Sequence, residues 1–170
     1  MLHVEIKPWA TDDLDLLRRA NTPELMDPLG GPESDDQVIA RHDRYLRMQQ
    51  SGTGYQFRVV IPERPEGVGI VGYWEREDSE AELEAGWSVD TEMRGRGIAS
   101  AAVIRMLQWA RANGETRPVH AYPPTTKLAS NGVCRKAGFT LIGQLDIEVT
   151  PSNVLHTNDW VFKFSSQIVT

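Results

Sequence analysis

Trp87-Ser88-Val89-Asp90-Thr91-Glu92-Met93-Arg94-Gly95-Arg96-Gly97-Ile98-Ala99-Ser100 leads from an alternating stretch, through two closely spaced glycines, into an apolar one. Just upstream, Ala81, Leu83, Ala85, Trp87 and Val89 alternate with Glu82, Glu84, Gly86 and Ser88. That two-residue period predicts a strand over 81–89 with both glutamates on one face. Downstream, Ile98, Ala101, Ala102, Val103, Ile104, Leu107 and Trp109 give a helix its broad apolar surface, and Asn113-Gly114 supplies a stop. A strand that turns through glycine into a helix makes an anion site. Glycine lets backbone approach an oxyanion closely, the first helical N–H groups lack partners, and the helix dipole adds partial positive charge. Arg94 and Arg96 add full charges. The spacing is neither that of a nucleoside-triphosphate loop nor the three-glycine dinucleotide fingerprint. The same turn also occurs in purely structural roles, so its neighbours must decide.

Towards the N-terminus, Leu2, Val4 and Ile6 alternate with His3 and Glu5, which predicts a short strand ended by Pro8. Thr11-Asp12-Asp13 signals a helix start, and Leu14, Leu17 and Ala20 give it an apolar stripe. Three prolines and Gly30-Gly31 make 21–34 largely loop, and a helix follows to Gln50. Its His42, among Arg41, Asp43 and Arg44, is expected on a solvated face. Tyr55–Ile61 and Val68–Trp74 read as a hairpin joined by Pro62–Gly67.

Towards the C-terminus come a short strand at Pro118–Tyr122, a break at Pro123-Pro124 and a helix over Leu128–Ala137 stopped by Gly138. Two strands, near Phe139–Val149 and Thr157–Phe164, finish the chain. The order β, α, α, β, β, β, α, β, α, β, β describes a mixed α/β sheet of about seven strands with about four helices.

Arg94-Gly95-Arg96-Gly97-Ile98-Ala99 matches the R/Q-x-x-G-x-G/A loop of the GNAT superfamily of N-acetyltransferases, and the resemblance extends further. Glu84–Asp90 looks like the family's central strand, and Lys127–Phe139 resembles its N-x-x-S-x-x-V-x-x-K-x-G-F helix. Motif-level likeness covers about residues 81–145, and the element order extends it in outline to one domain over 1–170. It implies a mostly antiparallel GNAT-like sheet and an acetyl-coenzyme A site. The pyrophosphate role falls on Arg94, Gly95, Arg96, Gly97, Ile98, Ala99 and Ser100. Backbone at Trp87, Ser88 and Val89 would pair with the pantetheine arm. A bulge there would splay the strand from Val119–Tyr122 and free an amide to polarise the thioester carbonyl.

Acyl transfer to nitrogen needs a neutral amine, and a lysine-like amine has a pKa near ~10.4, so a base must remove a proton. Glu84 leads, since relatives often carry a glutamate there, and Glu82 is the reserve. Both could equally be solvated residues of a strand face. For the departing thiolate, relatives usually offer a tyrosine near Cys134, which this chain lacks. Cys134 is either a proton donor or a packing residue. Ser130 aligns with the family's serine and can hydrogen-bond the sulfur or the pantetheine, although a first-turn polar residue needs no such role. Lys127 replaces an asparagine that contacts the pantetheine. It can donate but not accept, which alters that contact or turns it towards a phosphate. Trp9, Trp74, Trp87, Tyr45 and Tyr122 are candidates for an aromatic pocket or for core. His120 borders the expected cleft.

The chain has 170 residues, 24 Asp and Glu against 18 Lys and Arg, and a net charge of −6. That balance opposes binding nucleic acid through bulk electrostatics and suits a cationic amine, of a small molecule or a peptide. One cysteine excludes an internal disulfide, the four histidines are scattered, and no metal is expected. No apolar run reaches the ~18 residues of a membrane span, and Met1–Ala10 lacks the build of a signal peptide, so a cytoplasmic protein is expected. The last two strands offer edges through which a homodimer can form. The competing reading is a non-catalytic acyl-coenzyme A binding or sensing domain.

Overall fold

The computed structural model describes residues 2–165. Seven strands form one sheet in the order β1-β2-β3-β4-β5-β7-β6. They are β1 (Glu5–Pro8), β2 (Gly54–Ile61), β3 (Arg64–Arg76), β4 (Ser79–Val89), β5 (Val119–Ala121), β6 (Thr140–Thr150) and β7 (Asn153–Phe162). All neighbours pair antiparallel except β4 and β5, which are parallel. Five α-helices accompany them: α1 (Leu14–Ala20), α2 (Pro23–Met26), α3 (Asp35–Ser51), α4 (Ile98–Ala112) and α5 (Leu128–Lys136).

The alternation along β4 sorts the two faces. Leu83, Ala85 and Val89 pack with Val103, Met106 and Leu107 of α4 and with Val133 and Cys134 of α5. On the other face Ile70 of β3 joins Trp9, Leu16 and Leu17 near α1 and Val38 of α3 in a smaller core. Glu82, Glu84, Gly86 and Ser88 share that second face, so the glutamates look towards α1 and α3 rather than α4.

Several expectations are corrected. The stretch 21–34 is not mainly loop at its start: Thr22 Oγ1 accepts from Leu25 N–H, Pro23 opens α2, and a 3₁₀ turn over Asp27–Leu29 ends at Gly30 with φ 102°. That adds a fifth helix. The hairpin turn is shorter than Pro62–Gly67, because Ile61 pairs with Arg64 and β3 has already begun. His42 is buried, not solvated; Trp9 Nε1 donates to its Nδ1 at 3.0 Å in the smaller core. No bulge interrupts β4 near Trp87, since the β3–β4 register is unbroken from Gly69–Val89 to Glu75–Leu83.

Candidate active site

The splay between the middle strands arises without a bulge. β4 and β5 pair only at Leu83–Val119 and Glu84–His120, and then Pro123-Pro124 carries the chain away from β4. The uncovered end of β4 borders a cleft of about 550 Å³, closed on its far side by α5 and at its base by residues 93–100. Trp87, Ser88 and Val89 line one wall.

Gly95 and Gly97 adopt φ of 77° and 79°, a left-handed conformation that L side chains rarely take, and open space stands where each Cβ would be. Gly97 is the N-cap of α4, so the unpaired N–H groups of Ile98, Ala99 and Ser100 begin here. Arg94, Lys127 and Lys136 line the cleft, and no carboxylate does among the described lining residues. In an acidic protein this is a local cationic cradle whose backbone donors suit phosphate oxygens. Arg96 stands apart. Its Nη2 donates to Glu63 Oε1 at 3.2 Å, which holds the side chain against the β2–β3 turn. Lys136 is a lining residue that sequence reasoning did not assign, although it occupies the lysine position of the α5 motif.

A second cavity, of about 430 Å³, lies on the other side of the β4 end. Leu25, Trp87, Ser88, Lys127 and Ser130 line both spaces and mark their junction. Glu84 lines the second one, together with Trp74, Tyr122, Gln56 and Arg41. Burial pushes the Glu84 carboxyl above its ordinary value, with the Arg76 charge and the Trp74 side chain working the other way. The Trp74 indole lies over Gly86, where an added Cβ would stand 2.8 Å from the ring. Apolar walls come from the 21–34 segment, through Met26 and Leu29, and from the β6–β7 hairpin, through Ile147 and Leu155.

The remaining candidates separate clearly. Glu82 is bound to Arg76, whose Nη1 donates to Glu82 Oε2 at 2.8 Å, and it lines neither space. His120 is buried, with Nδ1 2.7 Å from Asp159 Oδ1 and its ring stacked on Tyr122. Cys134 lies fully buried in the α4–α5 core, away from both linings, and burial pushes its thiol up to about 12. A thiol so placed packs; it does not face the cleft. Of the five aromatics, Trp74, Trp87 and Tyr122 line the second cavity, while Trp9 and Tyr45 pack edge-on in the smaller core.

Asn131, unassigned from sequence, holds α5 in place. Its Nδ2 donates to Pro124 O at 2.9 Å and Lys127 O at 2.8 Å, and its Oδ1 accepts from Asn158 and Trp160 of β7. That bond set fixes the turn before α5, and with it Ser130 at the junction.

Residues 3–140 match the family model of the acetyltransferase (GNAT) domain. No curated protein is significantly similar to the chain in sequence. Solved structures resemble it closely in shape. RimL, a ribosomal L7/L12 alpha-N-protein acetyltransferase in complex with coenzyme A, aligns with TM-score 0.80 at 15% identity, over 95% of this chain and 94% of that one. The ribosomal-protein-S5-alanine acetyltransferase from Vibrio fischeri gives TM-score 0.79 at 16% identity, over 96% and 94%. The aminoglycoside acetyltransferase AAC(6')-Ib in complex with coenzyme A gives 0.76 at 14%, over 95% of each. At such identities the likeness is one of fold, and the family match along most of the chain carries the assignment. With the glycine cradle, the splayed parallel pair and the matching α5 motif, it establishes that the chain belongs to the GNAT family of acetyltransferases.

Proposed function

We propose that the protein, acting as one domain, transfers an acetyl group directly to a primary amine held in the second cavity, with Glu84 as the base. The donor of this family is acetyl-coenzyme A, and the cationic cradle fits it: two left-handed glycines, the open N-terminus of α4, and Arg94, Lys127 and Lys136. When bound, acetyl-coenzyme A supplies an activated acyl thioester. The chain's own residues do the rest. Backbone at Trp87–Val89, left unpaired by β5, has free hydrogen-bonding groups to offer along the cleft. Ser130, at the junction of the two spaces, can donate a hydrogen bond to the sulfur as it leaves. Glu84 removes the amine proton; burial raises its pKa towards the working pH, which strengthens it as a base. Glu82, held by Arg76, tunes the surroundings rather than touching the amine.

The observation that carries this reading is the continuity of the two spaces across Ser88 and Ser130, with a largely buried carboxylate on the acceptor side alone. A non-catalytic acyl-coenzyme A sensor has no use for that carboxylate. The test is incubation with acetyl-coenzyme A and a panel of primary amines, reading free thiol and acetylated product; release of thiol only with an amine present is expected. Two further readings rest on separate features. The exposed edge strand β6, with Leu141, Ile142 and Leu145 at its surface, supports a homodimer through that edge. A lone buried cysteine suits a reducing, cytoplasmic location.

A further inference from the structure

The acceptor cavity contains a polar feature that amine acetylation alone does not use. Gln56 is only 4% exposed, yet no described residue hydrogen-bonds its side-chain amide, which lines the cavity. An apolar residue would fill that position without the cost of taking an amide largely out of water. The sheet is also shaped around it. A Cβ at Gly72, its register partner on β3, would collide with the Gln56 amide, so the glycine is what lets that amide lie flat across β3 towards β4. Arg41 of α3 lines the same cavity; its Nη2 lies 2.6 Å from Glu33 Oε1, and its buried Nε has no hydrogen-bond partner among the described residues. The charges of Arg41 and Glu33 offset each other, so this end of the cavity suits a neutral polar group better than a free carboxylate.

We propose that Gln56, in the cavity that Arg41 also lines, forms a specificity subsite that reads a neutral amide group on the acceptor, about two extended residues from the nitrogen that is acetylated. This rests on the reading of the cavity as the acceptor site. The register sets the span. Gln56, Gly72 and Gly86 are level across β2, β3 and β4, and Glu84 lies two residues from Gly86 on the same face. With the amide lying over β3, one strand spacing of ~4.8 Å and two residues of rise separate it from the Glu84 backbone, on the order of 8 Å. An extended chain covers that distance in two to three residues. A carboxamide side chain both donates and accepts, so it can pair reciprocally with an amide. The ligand class is therefore a primary amine bearing a neutral amide at that distance. A peptide amino terminus and a small amino-amide both present that chemistry.

The test compares leucyl-leucinamide, 6-aminohexanamide and hexylamine as acceptors for the wild-type protein and for Gln56→Leu and Gln56→Glu. The wild type should favour 6-aminohexanamide over hexylamine, two alkylamines of similar basicity, by at least about tenfold in kcat/KM, and Gln56→Leu should abolish that preference and lower kcat/KM for leucyl-leucinamide by a similar factor. A preference for leucyl-leucinamide over 6-aminohexanamide points to peptide termini; the reverse points to small amino-amides. An unchanged melting-temperature rise with acetyl-coenzyme A shows that the variants are folded and hold the donor. Retention of the amide preference by Gln56→Leu would overturn the subsite. If no amine is acetylated, the acceptor-site reading fails separately. The subsite is then judged by calorimetric binding of leucyl-leucinamide to coenzyme A-loaded protein, which Gln56→Leu must lose.

Discussion

The two halves of the site are built by different means. The proposed donor cleft takes one wall and its base from a single stretch, residues 87–100, comprising the end of β4, two glycines at positive φ and the first turn of α4, and α5 closes it. The acceptor cavity consists of side chains brought together from α2, α3, β2, β3, β4 and the β6–β7 hairpin. A backbone site depends on a short stretch having one conformation, so it tolerates change around it and survives in sequence as a local pattern. A side-chain cavity has no such local pattern, and each wall can be altered separately. Substitutions should therefore fall into two groups, those that affect donor binding and those that affect the acceptor or the chemistry.

The largest effect separates chemistry from both. Glu84→Gln should lower kcat at pH 7 by roughly 10²–10⁴-fold, as expected for loss of a general base, and the deficit should narrow at high pH, where the amine is already neutral. Donor affinity, read by calorimetry, should not change. The same variant carries a stability prediction. Burial raises the folded-state pKa of Glu84, so its contribution is fully present below the unfolded value and is lost as pH rises through the folded one. Glu84→Gln should therefore melt above wild type near pH 8 and level with it near pH 4. A wild-type pH–rate profile in the variant would remove Glu84 from the reaction.

Gly97→Glu tests the backbone side. A side chain at φ 79° is strained by ~1–2 kcal/mol, and its charge opposes phosphate, so donor affinity should fall by at least about tenfold. Gly86→Ala tests the side-chain cavity. Its Cβ would press on the Trp74 indole, and displacing that ring should raise acceptor KM roughly fivefold while the donor Kd stays unchanged. If Gly86→Ala weakened the donor and not the acceptor, the two spaces would not be separable. The smallest effect distinguishes two arginines in one motif. Arg94→Ala should weaken the donor up to about fivefold, the scale of one exposed ionic contact, and Arg96→Ala less than about twofold, because Arg96 is turned onto Glu63.

This contrast also explains what the sequence disclosed. Strand 81–89, the glycine turn and the helix after it follow from alternation and local chemistry, and the structure has all three at nearly the expected positions. The adjoining α5 motif was equally legible, with the exception of Lys136 and Asn131, whose roles depend on what α5 packs against. Gln56 gave no signal, because its meaning comes from Gly72 on the next strand, and only pairing joins them. His42 misled for a related reason: charged neighbours on both sides suggested solvent, yet its partner Trp9 lies 33 positions away in the chain. Arg96 reads as a phosphate ligand by position alone, and its contact with Glu63 is tertiary.

Among the described residues two register pairs hold β4 to β5, extended only by Leu83 N–H donating to Pro118 O and by Arg117 reaching Glu75 and the Glu80 carbonyl. The sheet is thus two half-sheets joined at one end, with α4 and α5 as the other bridge. The donor cleft beside the open part of that seam is lined by β4, the start of α4 and α5, so a ligand in it ties β4 to the helices that bridge the two half-sheets. Folding stability then becomes a function of donor concentration, rising by RT ln(1 + [L]/Kd), about 2.7 kcal/mol at a hundredfold excess over Kd.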